Sequence, residues 1–264
     1  MPYPFYQVDA FTDRTFAGNP AAIVLVDDVP SNEWMQHVAA EMSVSETAFL
    51  KAREGGAYDL RWFTPIAEVD LCGHATLAAA HVLWQDGHLA AGVRAVFETA
   101  SGRLSAQQGE EWILMDFPAE EAEELDEQMG LALALGADPS YIGSNRLDIL
   151  VELDSEATVR SLTPDMGALE RIGMRGVIVT ARATSDAYDF VSRYFAPRFG
   201  IPEDPVTGSA HCCLGPYWME KLGRSDLVGY QASARGGTVG VEVAGDRVLL
   251  KGKAVTVLRG ELLA

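Results

Sequence analysis

The stretch from Arg61 to Trp84, RWFTPIAEVDLCGHATLAAAHVLW, returns in altered form from Arg193 to Met219 as RYFAPRFGIPEDPVTGSAHCCLGPYWM. Both begin Arg, aromatic, Phe, small residue, Pro. Both then reach a glycine, Gly73 or Gly208, that opens a run of small apolar residues. The same 135-residue offset carries Glu68 onto Glu203, Ala75 onto Ala210, and GRLSAQQGEEWILM from Gly102 onto GTVGVEVAGDRVLL from Gly237. A fixed offset of this kind marks a duplicated structural unit. Shorter matches extend it upstream. GNPAAIVLVDD around Asn19 pairs with SNRLDILVELD around Asn145 at 126, and TAFLKAR with GVIVTAR at 129, an offset that sets Arg175 opposite Glu46.

Periodicity supplies the elements. Strands are predicted at 3–9, 21–26, 46–52, 58–63, 94–99, 102–107 and 111–116, then at 147–153, 176–182, 188–195, 238–243 and 247–251. Helices are predicted at 31–42, capped by Ser31, at 74–86, ended by Gly87, and at 155–172 and 208–222. The helices after Gly73 and Gly208 are apolar nearly all round and should be buried. The acidic segment after Pro118, PAEEAEELDEQ, reads as a solvated connector able to carry a short helix. The halves are therefore drawn as 1–118 and 119–264, with the last strand, about 254–264, a candidate to return to the N-terminal half. Two such halves would set their helix starts about a pseudo-two-fold axis, with a binding cleft between them.

The chain has 264 residues and a net charge of −18. That balance argues against nucleic acid or an anionic membrane as partner, since both attract basic faces. A small molecule is the expected partner. Three cysteines, Cys72, Cys212 and Cys213, supply neither a disulfide framework nor a CxxC metal site. No metal or cofactor is expected. The start, MPYPFYQVDAFTDR, lacks the pattern of a secretory signal, and a cytoplasmic location is expected.

In so acidic a protein, an anionic ligand must be held by local donors. The unpaired amides of a helix's first turn are such donors, and a glycine lets the backbone approach. CGHAT and TGSAH supply two of these starts, and Asp204-Pro205 reads as a cap followed by Pro at the first helical position. His74 would be kept neutral by the positive helix end, whereas His211 reads as packing. Glu46 ends a capping-box pattern, Ser43-Val-Ser-Glu46, but a strand rather than a helix follows it. A half-buried carboxylate at such a junction would have its pKa raised toward the range of a general acid/base. Cys72 before a helix start would have a lowered pKa, yet Val206 and Thr207 stand at the equivalent place, so a two-thiol racemase looks broken.

VDAFTDRTFAGNPAAIVL (8–25), SVSETAFL (43–50), FTPIAEVDLCGHATLAAAHVL (63–83) and GIPEDPVTGSAHCCLGPYW (200–218) closely resemble the PhzF-like phenazine-biosynthesis isomerase family, in its motif order and over essentially the whole chain. The resemblance implies an α+β, diaminopimelate epimerase-like fold: two pseudo-symmetric halves, each a curled, mostly antiparallel sheet around a central buried helix. It implies Glu46 as acid/base, His74, Asp204 and Ser209 as supporting catalytic residues, and a substrate site of Gly73, Gly208, Ala75 and Cys72 that holds a carboxylate. A homodimer and a cofactor-independent proton-transfer isomerase follow from it. Cys72 departs from the phenazine enzyme, which has no thiol there. Two alternatives stand beside this reading: an amino-acid epimerase or racemase using Cys72 and Glu46, and a non-catalytic small-molecule-binding protein.

Overall fold

The computed structural model describes residues 2–125 and 130–263. Its chain divides into two compact units, one running to Asp116 and resuming at Lys251, the other from Phe117 to Leu250. The first contains β1 (Tyr3–Ala10), β2 (Asn19–Val26), α1 (Asn32–Met42), β3 (Glu46–Ala52), β4 (Tyr58–Phe63), β5 (Glu68–Val69), α2 (Gly73–Gln85), β6 (Ala95–Thr99), β7 (Gly102–Gln108) and most of β8 (Ile113–Pro118). Its sheet runs in the order β8, β7, β6, β4, β3, β2, β1, with β5 also on β4. The pairs β2–β3 and β4–β6 are parallel and the others antiparallel.

The second unit opens with β9 (Glu123–Glu124), α3 (Leu131–Leu135), β10 (Tyr141–Ser144), β11 (Asp148–Glu152), α4 (Glu156–Ser161) and α5 (Met166–Glu170). It continues with β12 (Gly176–Arg182), β13 (Phe190–Ala196), β14 (Ile201–Asp204), α6 (Gly208–Leu222), β15 (Asp226–Gln231), β16 (Gly237–Ala244) and β17 (Arg247–Gly252). The sheet order is β9, β10, β11, β12, β13, β15, β16, with β14 also on β13. Counted from β1 and from β10, the second and fourth links are the parallel ones in both units: β2–β3 and β4–β6, then β11–β12 and β13–β15. This shared order is the duplication expressed as topology. The final strand, β18 (Ala254–Leu262), lies antiparallel on β1 in the first unit.

Each central helix is buried because nearly every face of it is apolar or small. In α2, residues His74 to Ala80, Val82 and Leu83 are all buried, and the helix packs on β1, β2, β3, β7 and β18. Burying Leu77, Val82 or Leu83 contributes about 1.5–3 kcal/mol each. The alanines let the helix lie close to the strands. On the other side of the sheet, α1 packs Met35, Val38 and Ala39 against Val24, Phe49 and Phe63. In the second unit α4 and α5 share an apolar cluster with Leu131, Leu135, Val151, Val179 and Phe195.

Three expectations need correction. The helix predicted at 155–172 is two short helices, because Pro164 has no N–H to donate and pushes its neighbour out of helical geometry; Asp165 then caps the second at Ala168. The helix after Gly208 is not capped by Asp204, which ends β14; Thr207 occupies the cap position, and Pro205 lies in the turn before it. The strands also shift one correspondence. Ala48 pairs with Trp62 and Ile178 with Tyr194, so β3 and β12 match at an offset of 130, and the counterpart of Glu46 is Gly176 rather than Arg175.

Candidate functional site

Ser31 caps α1 at Trp34, and the helix ends at Ser43 in the left-handed region, φ 51. The chain therefore turns back at once, and Glu46 is the first residue of β3 rather than the third residue of a helix. In the parallel ladder Glu46 lies beside Ala21 of β2. Asn19, two residues before Ala21, projects from the same face. That face is covered by α2, whose second residue is His74. The topology thus gathers three polar side chains under one helix start.

Glu46 Oε2 lies 3.1 Å from His74 Nε2, with the side chains 12% and 6% exposed. Among the described residues, neither atom has another hydrogen-bond partner. The far side of the ring is also engaged: His74 Nδ1 lies 3.2 Å from Asn19 Nδ2 and 3.5 Å from Cys72 Sγ. Burial works against the imidazolium, but the contacts with Cys72 and Glu46 outweigh it, and the His74 pKa lies well above the usual 6.5. This corrects the neutral histidine expected from the helix end alone; a carboxylate in contact is stronger than a partial dipole charge.

Cys72 precedes α2 and is only 6% exposed. Burial, with Glu46 beside it, pushes its thiol up to about 11. The lowered thiol expected from the helix start is overturned, because desolvation of the thiolate exceeds the help from His74 and the Ala75 amide. Cys72 stands at the cap position of α2 without a side-chain cap bond, and its sulfur, rather than an oxygen, faces the Ala75 amide of the first turn. Ligand atoms of Glu46, Cys72 and His74 lie within 4.8 Å of one another, close enough to suggest a metal centre. However, Cys72 meets Nδ1 and Glu46 meets Nε2. A single ion cannot bind opposite nitrogens of one ring, so this set does not fit a three-ligand metal centre without rearrangement.

The second unit builds its helix start differently. Gly176 stands where Glu46 stands in the first unit, and a Cβ there would meet Tyr194 Oη at 2.3 Å. Tyr194 donates to Asp148 Oδ1 at 3.0 Å, and Asp148 also receives Arg175 through Nε at 2.9 Å and Nη2 at 2.5 Å. The same Arg175 Nη2 reaches Ser209 Oγ at 3.0 Å. Asp204 accepts from the Thr207 hydroxyl at 2.5 Å, while Gln231 bridges Thr207 N–H (2.9 Å) and the Asp204 carbonyl (2.7 Å). Thus Asp204 is tied into the turn before α6, while Ser209, in the first turn of that helix, is held by Arg175. His211 packs as expected: it is fully buried, bonded to the Thr207 carbonyl at 2.8 Å, and its pKa is lowered by burial to about 4.

A scan for related families matches residues 8–260 to the model described as phenazine biosynthesis-like protein. The chain belongs to the PhzC-PhzF family. An uncharacterized isomerase from Halalkalibacterium halodurans is 53% identical over 264 residues, covering 100% of this chain and 99% of the relative. The crystal structure of a phenazine biosynthesis protein of the PhzF family from Enterococcus faecalis is 43% identical and superimposes with a TM-score of 0.94, covering 100% of both chains. A Pseudomonas aeruginosa protein described as a predicted epimerase shares the fold at 22% identity and a TM-score of 0.74, covering 99% of each chain. At the level of reaction class, this PhzF-family chain is an isomerase.

Among the residues that the sequence singles out, Glu46, Cys72 and His74 come together, with Gly73 and Ala75 in the same helix start. Ser209 and Gly208 begin α6, and Asp204 lies in the turn before it. Asn19, Asp148, Arg175, Tyr194 and Gln231 join these residues only in the structure. The sequence marks Asn19 only as a position of the repeat, opposite Asn145. A pocket of about 380 Å³ is lined by His81, Trp84, Trp112 and Lys253; none of Glu46, Cys72 and His74 lines it. No described helix is long and apolar enough to cross a membrane.

Proposed function

We propose that this PhzF-family isomerase moves a proton between carbon atoms of a small carboxylate-bearing substrate, with Glu46 as the acid/base. The observation that carries this reading is the Glu46–His74 contact of 3.1 Å beneath the first turn of α2. A carboxylate with one oxygen against an imidazole N–H keeps its second oxygen available to accept a proton and return it. The amides of Gly73 and Ala75 are suited to an anionic group, which the net charge of −18 would otherwise repel. Asp204 and Ser209 are proposed as supporting residues through the α6 start. No cofactor enters this scheme. The family resemblance further suggests a homodimer.

The test is a set of carboxylate metabolites incubated with the protein in D₂O and followed by proton NMR. The expected result is deuterium entering one C–H position of one substrate. Glu46→Gln should abolish that exchange while leaving binding nearly intact; undiminished exchange in this variant would remove Glu46 from the mechanism. Exchange lost in Cys72→Ala but kept in Glu46→Gln would favour thiol chemistry, and a ligand that binds without exchange or turnover would favour a binding protein.

A further inference from the structure

We infer that Asn19 is a positioning residue that keeps the His74 Nε2–H directed at Glu46 in both protonation states of the ring. This rests on the proposed role of Glu46. The amide nitrogen of Asn19 lies 3.2 Å from His74 Nδ1, and Asn19 is fully buried. An NH₂ group donates only to an unprotonated ring nitrogen, so in this arrangement Nδ1 carries a lone pair. The single proton of the neutral ring is then on Nε2, facing Glu46 Oε2 at 3.1 Å. When the ring becomes an imidazolium, Nδ1–H needs an acceptor, and a half-turn of the same amide presents Oδ1. Asparagine can therefore serve either state from one position; aspartate or leucine cannot.

The ionisable groups acting on the ring are Cys72, on the segment leading into α2, and Glu46, at the head of β3. From β2 comes the neutral Asn19; on β1 it is Ala10 that pairs with Asn19, while the buried Asp9 pairs with Pro20 on the other face and accepts the Phe16 N–H at 2.6 Å. Cys72 shares Nδ1 at 3.5 Å, but a thiol is a weak donor and a weak acceptor, so it fixes neither tautomer. The position of Asn19 is itself built in. Gly18 before it has φ +63, with the Ala10 carbonyl oxygen 2.1 Å from where a Cβ would stand.

The consequence concerns which Glu46 oxygen does chemistry. With Nε2–H on Oε2, a substrate C–H proton passes to Oε1, the bonding electrons stay on the substrate carbon, and the proton returns from Oε1 to the second carbon. Were the ring to adopt the Nδ1–H tautomer, its bare Nε2 would accept from a protonated Glu46. The proton would then be held on Oε2, away from the substrate.

The test needs no ligand: ¹⁵N-histidine NMR of the intact protein through a pH titration, with the His74 signals among the five histidines assigned by their loss in His74→Gln. In the wild type, Nδ1 should show the large shift of a nitrogen losing its proton, while Nε2 stays protonated throughout. Asn19→Asp, an acceptor of the same shape, should reverse this so that Nε2 deprotonates, and Asn19→Leu should give a mixture of tautomers. A wild-type titration at Nε2 overturns the inference, as do folded variants with the wild-type pattern. If neither variant folds, the wild-type titration alone decides. Because this readout is independent of turnover, retained exchange in Glu46→Gln would count against Glu46 as the base and leave the Asn19 result standing.

Discussion

His74 Nε2 and Glu46 Oε2 are 3.1 Å apart, and both side chains are close to fully buried. The two groups therefore form a single unit whose charge is set by contact rather than by solvent. Removing one partner leaves the other buried without compensation, at a cost of about 3–5 kcal/mol for a fully buried pair. His74→Gln should accordingly destabilise the protein at pH 6. A His pKa raised on folding gives stability that is complete below about 6.5 and declines as pH rises through the folded value. The gap between wild type and His74→Gln should therefore narrow from pH 6 to pH 9 in urea unfolding, and a gap that widens would contradict the charged pair.

Cys72 gives a second pH signature. Its thiol is pushed from the ordinary 9.0 to about 11, so burial favours the protonated form. The stability this confers is present below pH 9 and lost as pH rises toward 11. Wild type should lose stability relative to Cys72→Ala across that window, and the Cys72 thiol should alkylate slowly at pH 8. Rapid alkylation there would show a thiolate.

Gly176→Ala should destabilise the second unit by about 1–3 kcal/mol, the range for overpacking a filled site. The new methyl would lie 2.3 Å from Tyr194 Oη and 2.4 Å from its ring carbon, and would press the ring away from Asp148. An unchanged melting temperature would mean that the tyrosine moves without cost.

Gly18→Ala should cost at least about 1–3 kcal/mol, since a side chain in the left-handed region is strained even without a clash. The Ala10 carbonyl at 2.1 Å adds to this. For a chain of this size each kcal/mol lowers Tm by about 2–4 °C. Thermal unfolding of this variant, with Gly55→Ala as a control in open space at φ +89, separates the overlap from the strain.

The repeat made the architecture legible, because the offset of 135 fixes both central helices and the second strand after each, β7 and β16, although β15 was not predicted. Helix α1 and its Ser31 cap were also legible, and so was the strand after Glu46. Short strands such as β9, with two residues, carry no period of their own and exist only through β10. The Arg175–Glu46 equivalence failed by one residue because an alignment of similar letters cannot see a ladder; pairing partners can. The site was half legible. Glu46, Cys72 and His74 could be named, but the upward shift of Cys72 depends on burial and on Glu46, and that of His74 on its contacts with Cys72 and Glu46. Neither is written in a helix start. Asn19 was visible only as a marker of the repeat, since its bond to His74 spans 55 positions.

The strand β18 lies against β1, so the unit that carries Glu46, Cys72 and His74 is assembled from the two ends of the chain. The other unit is one uninterrupted segment, Phe117 to Leu250. On a ribosome the order of completion is therefore inverted: the segment made second can close first, while β1 waits with an unpaired edge until β18 has emerged. A chain that stops before Ala254 would keep every side chain of the Glu46 cluster and lose the strand that seals its sheet.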